Sequence, residues 1–367
     1  MALAKITLEN FRNHRASELA ETAHFNLLIG ENGAGKTNVL EALSLLSPGR
    51  GLRRAAIAEF ARQPAHDDDT NEHEAGHFAI GASLIEQGQV SARIGTYTQP
   101  ERPTRRLVRI NGADASASAL SEWHAVAWLT PAMDGLFTDS AGARRRFVDR
   151  MALALEPGHA KSVASLEAAL RERNRLLEEH GDARWLDAIE AQIADHGAQV
   201  AANRARLIEH LSEELSALPP EPFARPLLAY RPGGPTNAQE LYANLARERP
   251  RDRAAGRTLA GPHRDELEVL MASSGQAAGQ CSTGEQKAML IAITLAHGAL
   301  AASGRPSVLL LDEIGAHLDP VRRLELFRRL RAGQAQVWMT GTELAPFEAI
   351  AQEAAIWQVS DGALTRL

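Results

Sequence analysis

The chain has 367 residues, room for about two domains with cores of their own. Its 44% hydrophobic and 23% charged residues set aside disorder and fibrous repeats. A net charge of −6 leaves no global basic footprint, so nucleic-acid binding must come from local clusters or be switched on by another event, and the single cysteine, Cys281, excludes an internal disulfide framework or a cysteine-based metal site.

The start, MALAKITLENFRN, lacks a basic stretch followed by an apolar one. The longest apolar run, MLIAITLAHGALAA, is about 14 residues and holds a histidine, too short and too polar for a span. These features predict a cytoplasmic protein with no membrane segment.

KITLEN alternates as a strand, and HFNLLIG is a short apolar run leading into GENGAGKT, Gly30 to Thr37. Lys36 to Leu46 has helical spacing at Val39, Leu43 and Leu46. Strand, loop and helix are the setting that the phosphate-loop pattern G-x-x-x-x-G-K-[ST] requires. Such a loop, here Gly30, Glu31, Asn32, Gly33, Ala34 and Gly35, curls backbone N–H groups around phosphate oxygens at a helix N-terminus. Lys36 would then reach the β and γ phosphates, and Thr37 would offer its hydroxyl to Mg²⁺. Only four of the 40 basic residues are lysines, so Lys36 marks a site that needs a compact ammonium.

HFAIGASLIE, QVSARIGT and RRLVRING follow as strands, with turns at Gln87-Gly88 and Asn111-Gly112, a small antiparallel layer beside the loop. The acidic HDDDTNEHE, His66 to Glu74, reads as a solvated loop without regular metal-ligand spacing. From about Arg144 to Leu218 long helices take over. Leu166, Leu170 and Leu177 share one face, and after the turn His180 to Asp182 a stripe from Leu186 to Leu218 predicts a helix of about 35 residues, roughly 50 Å long. The Pro-rich Leu218 to Pro235 reads as a junction, followed by a short helix and the Arg-rich RERPRDRAAGR. PSVLLLDE, PVRRLELFRRLRA and AQVWMTG then return to strand, helix, strand. The α/β sheet is therefore completed from the C-terminal side: one discontinuous head, 1–140 and 251–367, with a helical arm, 141–250, inserted.

VLLLDE ends an apolar strand in two carboxylates. Asp312 would orient the Mg²⁺ shell and Glu313 would serve as general base for the attacking water. QCSTGEQK opens a second apolar helix with Ser282 and Gly284, and either a second anion-binding helix terminus or a plain Ser cap with a capping box fits that pattern.

The order of phosphate loop, helical insertion, STGEQ, Asp-Glu strand and AHLDP resembles the ABC-type ATPases, including the SMC-like repair proteins. LENFRNH, GENGAGKTNVLEALSLL, RRRFVD, LAGPHRDE and CSTGEQKAML narrow the resemblance to the RecF family of bacterial recombination mediators, from end to end of the chain. It implies an ABC-type head, a mixed sheet with the phosphate loop plus an antiparallel β layer, carrying a short helical arm. It also implies an ATP-dependent head-to-tail homodimer with slow hydrolysis, in which Ser282 and Gly284 cap the partner's γ-phosphate and Asp319 lies in the loop between subunits. Arg12 and Asn13 would reach the nucleotide. Implied too are DNA binding (single-stranded, double-stranded or junction), work with RecO and RecR to load RecA, roles in gap repair, replication restart and SOS induction, and a nucleoid-associated location. Two departures stand out: TPAMDG has Ala132 where the family often has an acid, and MTGTE lacks the histidine of ABC transporters, which speaks against fast hydrolysis.

Three clusters are candidates for DNA: Arg50, Arg53, Arg54 and Arg62; Arg102, Arg105, Arg106 and Arg109; and Arg247, Arg249, Arg251, Arg253 and Arg257. The alternative function is the nucleotide-binding subunit of an ABC membrane transporter, which the helical insertion and the missing histidine disfavour. A chromosome-organising SMC protein would need far longer arms.

Overall fold

The computed structural model describes residues 3–62, 76–86, 88–219, 221–302 and 305–367, without the side chains of residues 316 and 317. The acidic stretch at 66–74 lies outside the described residues. The chain divides into two compact units, 1–133 with 294–367, and 134–293; the division falls inside one helix, Thr283–Ala302.

In the first unit, β1 (Leu3–Phe11) buries Leu3, Ile6, Leu8 and Phe11 and leaves the residues between them more open, so that one face of the strand lies on a core. With β2 (His14–Leu19), β4 (Ala79–Glu86), β5 (Gln89–Gln99), β6 (Arg102–Ile110) and β7 (Ala113–Ala115) it forms an antiparallel sheet in the order β2-β1-β4-β5-β6-β7. The second sheet runs β14-β13-β3-β12-β11-β8: Ala363–Arg366, Ala354–Ser360, Phe25–Ile29, Gln336–Gly341, Ser307–Leu311 and Ala125–Leu129. Its strands are parallel apart from β13 against β14. β3, β8 and β11 are buried at every position, the continuous apolar reading of strands covered on both faces.

α1 (Lys36–Ser44) contributes Val39, Leu40 and Leu43 to a core shared with Ile6 and Leu8 of the first sheet and Leu310 and Trp338 of the second. Phe11, Phe60 and Phe78 form a ring triad at 5.6 to 5.8 Å, and Trp338 stacks on Trp357 at 5.6 Å. The short helices α2 (Leu120–Trp123) and α9 (Glu348–Ala351) and the longer α8 (Pro320–Ala332) complete this unit.

The second unit holds α3 (Ala141–Leu155), α4 (His159–Glu178), α5 (Ala183–Ala217) and α6 (Ala238–Ala255). Asp182 caps α5, its side chain accepting from the Arg184 amide, and the helix runs for 35 residues. Leu166, Ala169 and Leu170 of α4 pack on Ile193, Ala194 and Val200 of α5, and Leu241 and Leu245 of α6 close that core. Arg173, fully buried, bonds Glu190, Asp252 and the Leu245 carbonyl, and Arg249 also reaches Glu190. Three helices thus share one satisfied ion network, the condition under which buried charge is tolerated.

Two local expectations change. The Pro-rich junction contains a strand, β9 (Pro226–Arg231), paired antiparallel with β10 (Glu266–Met271); its proline sits at the first position, where a strand tolerates it. The Arg-rich segment continues α6 instead of following it. Pro250 lies inside that helix, where Leu241, Leu245 and the ion-paired Asp252 anchor both halves. The unit extends beyond the expected arm, 141–250, because β10 pairs with β9 and the turn before the 283–302 helix packs against residue 137.

Candidate functional site

β3 lies between β12 and β13, so the loop after Ile29 emerges at the carboxyl end of the parallel sheet, where α/β folds hold ligands. The loop turns through Gly33 at φ 85° and Gly35 at φ 114°, backbone that side chains resist. At Gly35 a Cβ would also stand 2.6 and 2.7 Å from the Asn13 amide atoms. Asn13 Nδ2 donates to the Ala34 carbonyl at 3.0 Å, His14 Nε2 meets the Gly35 carbonyl at 3.2 Å, and the Gly362 amide donates to the Ala34 carbonyl at 3.0 Å. The loop is braced from two hairpins, β1–β2 and β13–β14.

Lys36 is buried and folds back so that Nζ donates to the Gly30 and Glu31 carbonyls at 2.6 and 2.7 Å. Burial lowers its pKa, against the pull of Glu313 and Asp312. Among the described residues the amides of Gly35, Lys36 and Thr37 meet no protein acceptor. Those N–H groups lie at the positive end of α1, a geometry that favours an anion.

Asp312 follows β11, and its Oδ1 accepts from Thr37 Oγ1 at 3.0 Å and from Thr340 Oγ1 at 2.8 Å. Burial raises its pKa, while the two threonine bonds draw it back. Thr340 Oγ1 in turn accepts the Glu313 amide at 2.8 Å. Glu313 holds φ 53°, a left-handed conformation of order 1–3 kcal/mol for a non-glycine residue, kept here by that anchor. Hydroxyl and carboxylate oxygens 3.0 Å apart beside free amides suit Mg²⁺, which takes one or two protein ligands and completes its shell with phosphate and water.

Arg12 bonds the buried Glu41 twice, at 2.8 and 3.1 Å, and lies 5.0 Å above the Phe60 ring. With Asn13, Gly33, Asn38 and Glu59 it lines a cleft of ≈ 640 Å³ beside the loop. Asp319 caps α8, accepting from the Arg322 amide at 2.9 Å.

In the second unit α7 (Thr283–Ala302) opens on the capping box. The Ser282 amide and hydroxyl both donate to Glu285 Oε2, at 2.8 and 2.7 Å, and the Glu285 amide returns to Ser282 Oγ at 3.4 Å. Lys287 pairs with Asp134 at 2.9 Å. Ser282, Thr283 and Gly284 stay exposed, and a Cβ on Gly284 would meet nothing within 4 Å.

Several arginines of the basic clusters are engaged within the fold. Arg106 is turned into the fold, bonding Thr96 Oγ1 and the carbonyls of Leu45, Ser47 and Gly49 after α1; burial pushes its pKa down to about 10. Arg53 is held by Asn38 and Glu41. On α6, Arg249 is tied to Asp187 and Glu190, Arg253 to the Leu177 carbonyl, and Arg247 and Arg251 flank Glu248. Sequence reasoning also missed His14, Thr340 and Gly362. His14 adjoins the Arg12 and Asn13 already singled out, whereas Thr340 and Gly362 read only as strand and turn.

A sequence model of the family described as RecF/RecN/SMC N terminal domain matches residues 2–364. The DNA replication and repair protein RecF of Brucella suis is 46% identical over 378 residues, covering 100% of this chain and 96% of its own length. RecF of Mesorhizobium japonicum is 45% identical over 375 residues, covering 98% and 96%.

The chain belongs to the RecF family.

A solved structure of the recombination mediator protein RecF-ATPrS in the RecFOR pathway superposes with a TM-score of 0.84 over 100% of this chain and 98% of that one. At 21% identity it shows a shared fold, the ABC/SMC-type head with mixed and antiparallel sheets. A Smc head bound to the C-winged helix domain of ScpA follows at a TM-score of 0.57 and 16% identity, over 100% of this chain and 98% of that one.

Proposed function

We propose that the chain is an ATP-gated, DNA-binding recombination mediator that acts as a head-to-tail homodimer with RecO and RecR to load RecA, in gap repair, replication restart and SOS induction. The observation that carries the ATP half is the braced loop with its unpaired amides at the start of α1, where the Thr37 hydroxyl bonds Asp312. RecF relatives named for DNA replication and repair, and the shared fold of RecF-ATPrS in the RecFOR pathway, support the rest. The head, 1–140 and 251–367, would bind nucleotide, with the arm, 141–250, as its insertion.

The loop amides and Lys36 would bind the phosphates. Mg²⁺, when bound, would neutralise charge on the β and γ phosphates. Thr37 and Asp312 would hold it, and Glu313 would accept the proton of the water whose oxygen attacks the γ-phosphorus as the bond to the leaving diphosphate oxygen breaks. Arg12 and Asn13 would line the nucleotide, Asp319 would sit in the loop between subunits, and Ser282 with Gly284 would cap the partner's γ-phosphate. MTGTE offers no histidine beside that phosphate, so turnover would be slow and ATP would act as a switch. Action at the nucleoid in the cytoplasm follows from the DNA role. Among the described residues no helix is long and apolar enough to cross a membrane, and no relative given above is a transporter.

A mixing experiment tests the composite site. Ser282→Arg is expected to bind ATP as a monomer without dimerising, and Lys36→Ala to lose ATP binding. Their mixture regains one complete site, so ATP-dependent association should reappear in sedimentation. A mixture as inert as its parts would leave Ser282 a helix cap and nothing more.

A further inference from the structure

The antiparallel sheet has two faces, and among the described residues only one is used by the core. On β5 the residues Ala92, Ile94, Thr96 and Thr98 are buried, so Arg93, Gly95 and Tyr97 point the other way. On β6 the inward Arg106 bonds the buried Thr96, which turns its neighbours Arg105 and Leu107 outward, and Arg109 with them. Register brings these side chains together: Gly95 faces Arg109, Tyr97 faces Leu107, and Gly81 of β4 faces Gly95. The two glycines leave bare backbone beside the arginines.

Arg93 and Arg105 are exposed and have no acidic partner among the described residues. Arg109 lies 5.2 Å over the Tyr97 ring, and its contact with Asp114 joins side chains that are 57% and 83% exposed, a pair that competing anions displace easily. Arg105 and Arg109 are separated by about 13 Å along the strand, the axial rise of about four nucleotides on one DNA strand. The α6 cluster, by contrast, is largely consumed by Asp187, Glu190 and Glu248.

We infer that this outer face, with Arg93, Arg105 and Arg109 around Tyr97, is a contact surface for the phosphate backbone of duplex DNA. It rests on the DNA-binding reading above and gives that reading an address. The arginines make backbone contacts without reading base sequence, so binding here is sequence-tolerant and salt-dependent. Arg106 serves the surface indirectly, by fixing which neighbours face out.

The test is the affinity of a labelled duplex oligonucleotide, with ATP, across a salt series. The triple variant Arg93→Ala, Arg105→Ala, Arg109→Ala should flatten the slope of log affinity against log salt by about 0.9 per lost contact, about 2.7 in all. The control Arg247→Ala, Arg251→Ala, Arg257→Ala should leave the slope unchanged. The single reversal Arg105→Glu guards against a folding artefact, and both variants should keep the thermal midpoint and ATP affinity of the parent. Unchanged slope and affinity in the triple variant would overturn the site while leaving DNA binding itself standing. No duplex binding by the parent in either nucleotide state would overturn both. Loss of association with an acidic protein partner alone, with DNA binding intact, would assign the face to that partner.

Discussion

The phosphate loop and the turn before α7 are both glycine-containing helix starts, yet the fold treats them in opposite ways. Around the loop, Asn13, His14, Thr340 and Gly362 bond its carbonyls or the carboxylates beside it, and Gly35 could not be another residue without striking Asn13. At the turn, Ser282 and Glu285 bond each other, and Gly284 stands in open space. The first glycine is explained by its own subunit. The second meets no such neighbour, and the composite site proposed above would account for it.

The largest effect should come from Gly35→Ala. The methyl group meets the Asn13 amide at 2.6 Å in a backbone of φ 114°, so either the loop or Asn13 must move, and the bonds to Ala34 and Asn38 go with it. We expect a loss of about 2–4 kcal/mol in thermal or denaturant unfolding together with loss of ATP binding. A variant with parental stability and nucleotide affinity would mean that the loop is not rigidly braced, and the contrast between the regions would collapse.

What the sequence made legible follows the same line. The loop, the Asp-Glu strand end, the antiparallel layer and the helix of about 35 residues could be read, because each rests on local spacing: a glycine pattern, alternation, or a 3.6-residue stripe. His14, Thr340 and Gly362 could not, since their contacts with the loop or Asp312 cross 21 to 328 residues of chain. Arg106 was misread for a related reason. Charge counting along the chain cannot see that one arginine of a strand faces the core and its neighbours face water, a difference that strand parity and the carbonyls after α1 decide. Pro250 misled in the other direction, because tertiary anchors at Leu245 and Asp252 outweigh a local helix penalty.

Acid should distinguish the regions next. His124, just before β8, is fully buried, and burial, with the nearby Arg305 charge, pushes its pKa down to about 4 from 6.5. The folded state keeps it neutral, whereas the unfolded chain takes up a proton below about pH 6.5. Its stability contribution is therefore intact above pH 6.5, falls as the pH drops, and is gone near pH 4, an amount of about 3 kcal/mol. His124→Leu should remove that part of the acid sensitivity of unfolding. A parent-like acid sensitivity of unfolding in His124→Leu would contradict the assignment.

The smallest change in stability, and the sharpest separation, is expected of Gly284→Ala. Gly284 is the second residue of α7, its backbone is not left-handed, and its Cβ would have free space, so alanine should be neutral or stabilise the fold by about 0.5 kcal/mol. A cap that only serves its own helix would then be improved. If instead the turn must come within contact distance of a phosphate held by a second subunit, the added methyl occupies that approach, and ATP-dependent association should weaken by about tenfold or more while monomer ATP affinity is unchanged. Ser282→Ala gives the reference: it loses a helix cap, about 1 kcal/mol, and so lowers stability and association together. Opposite signs in the two readouts for Gly284→Ala would show that this glycine is kept for a partner. Parallel signs would return the turn to the interior economy of its own helix, and the two glycine loops would differ in packing alone.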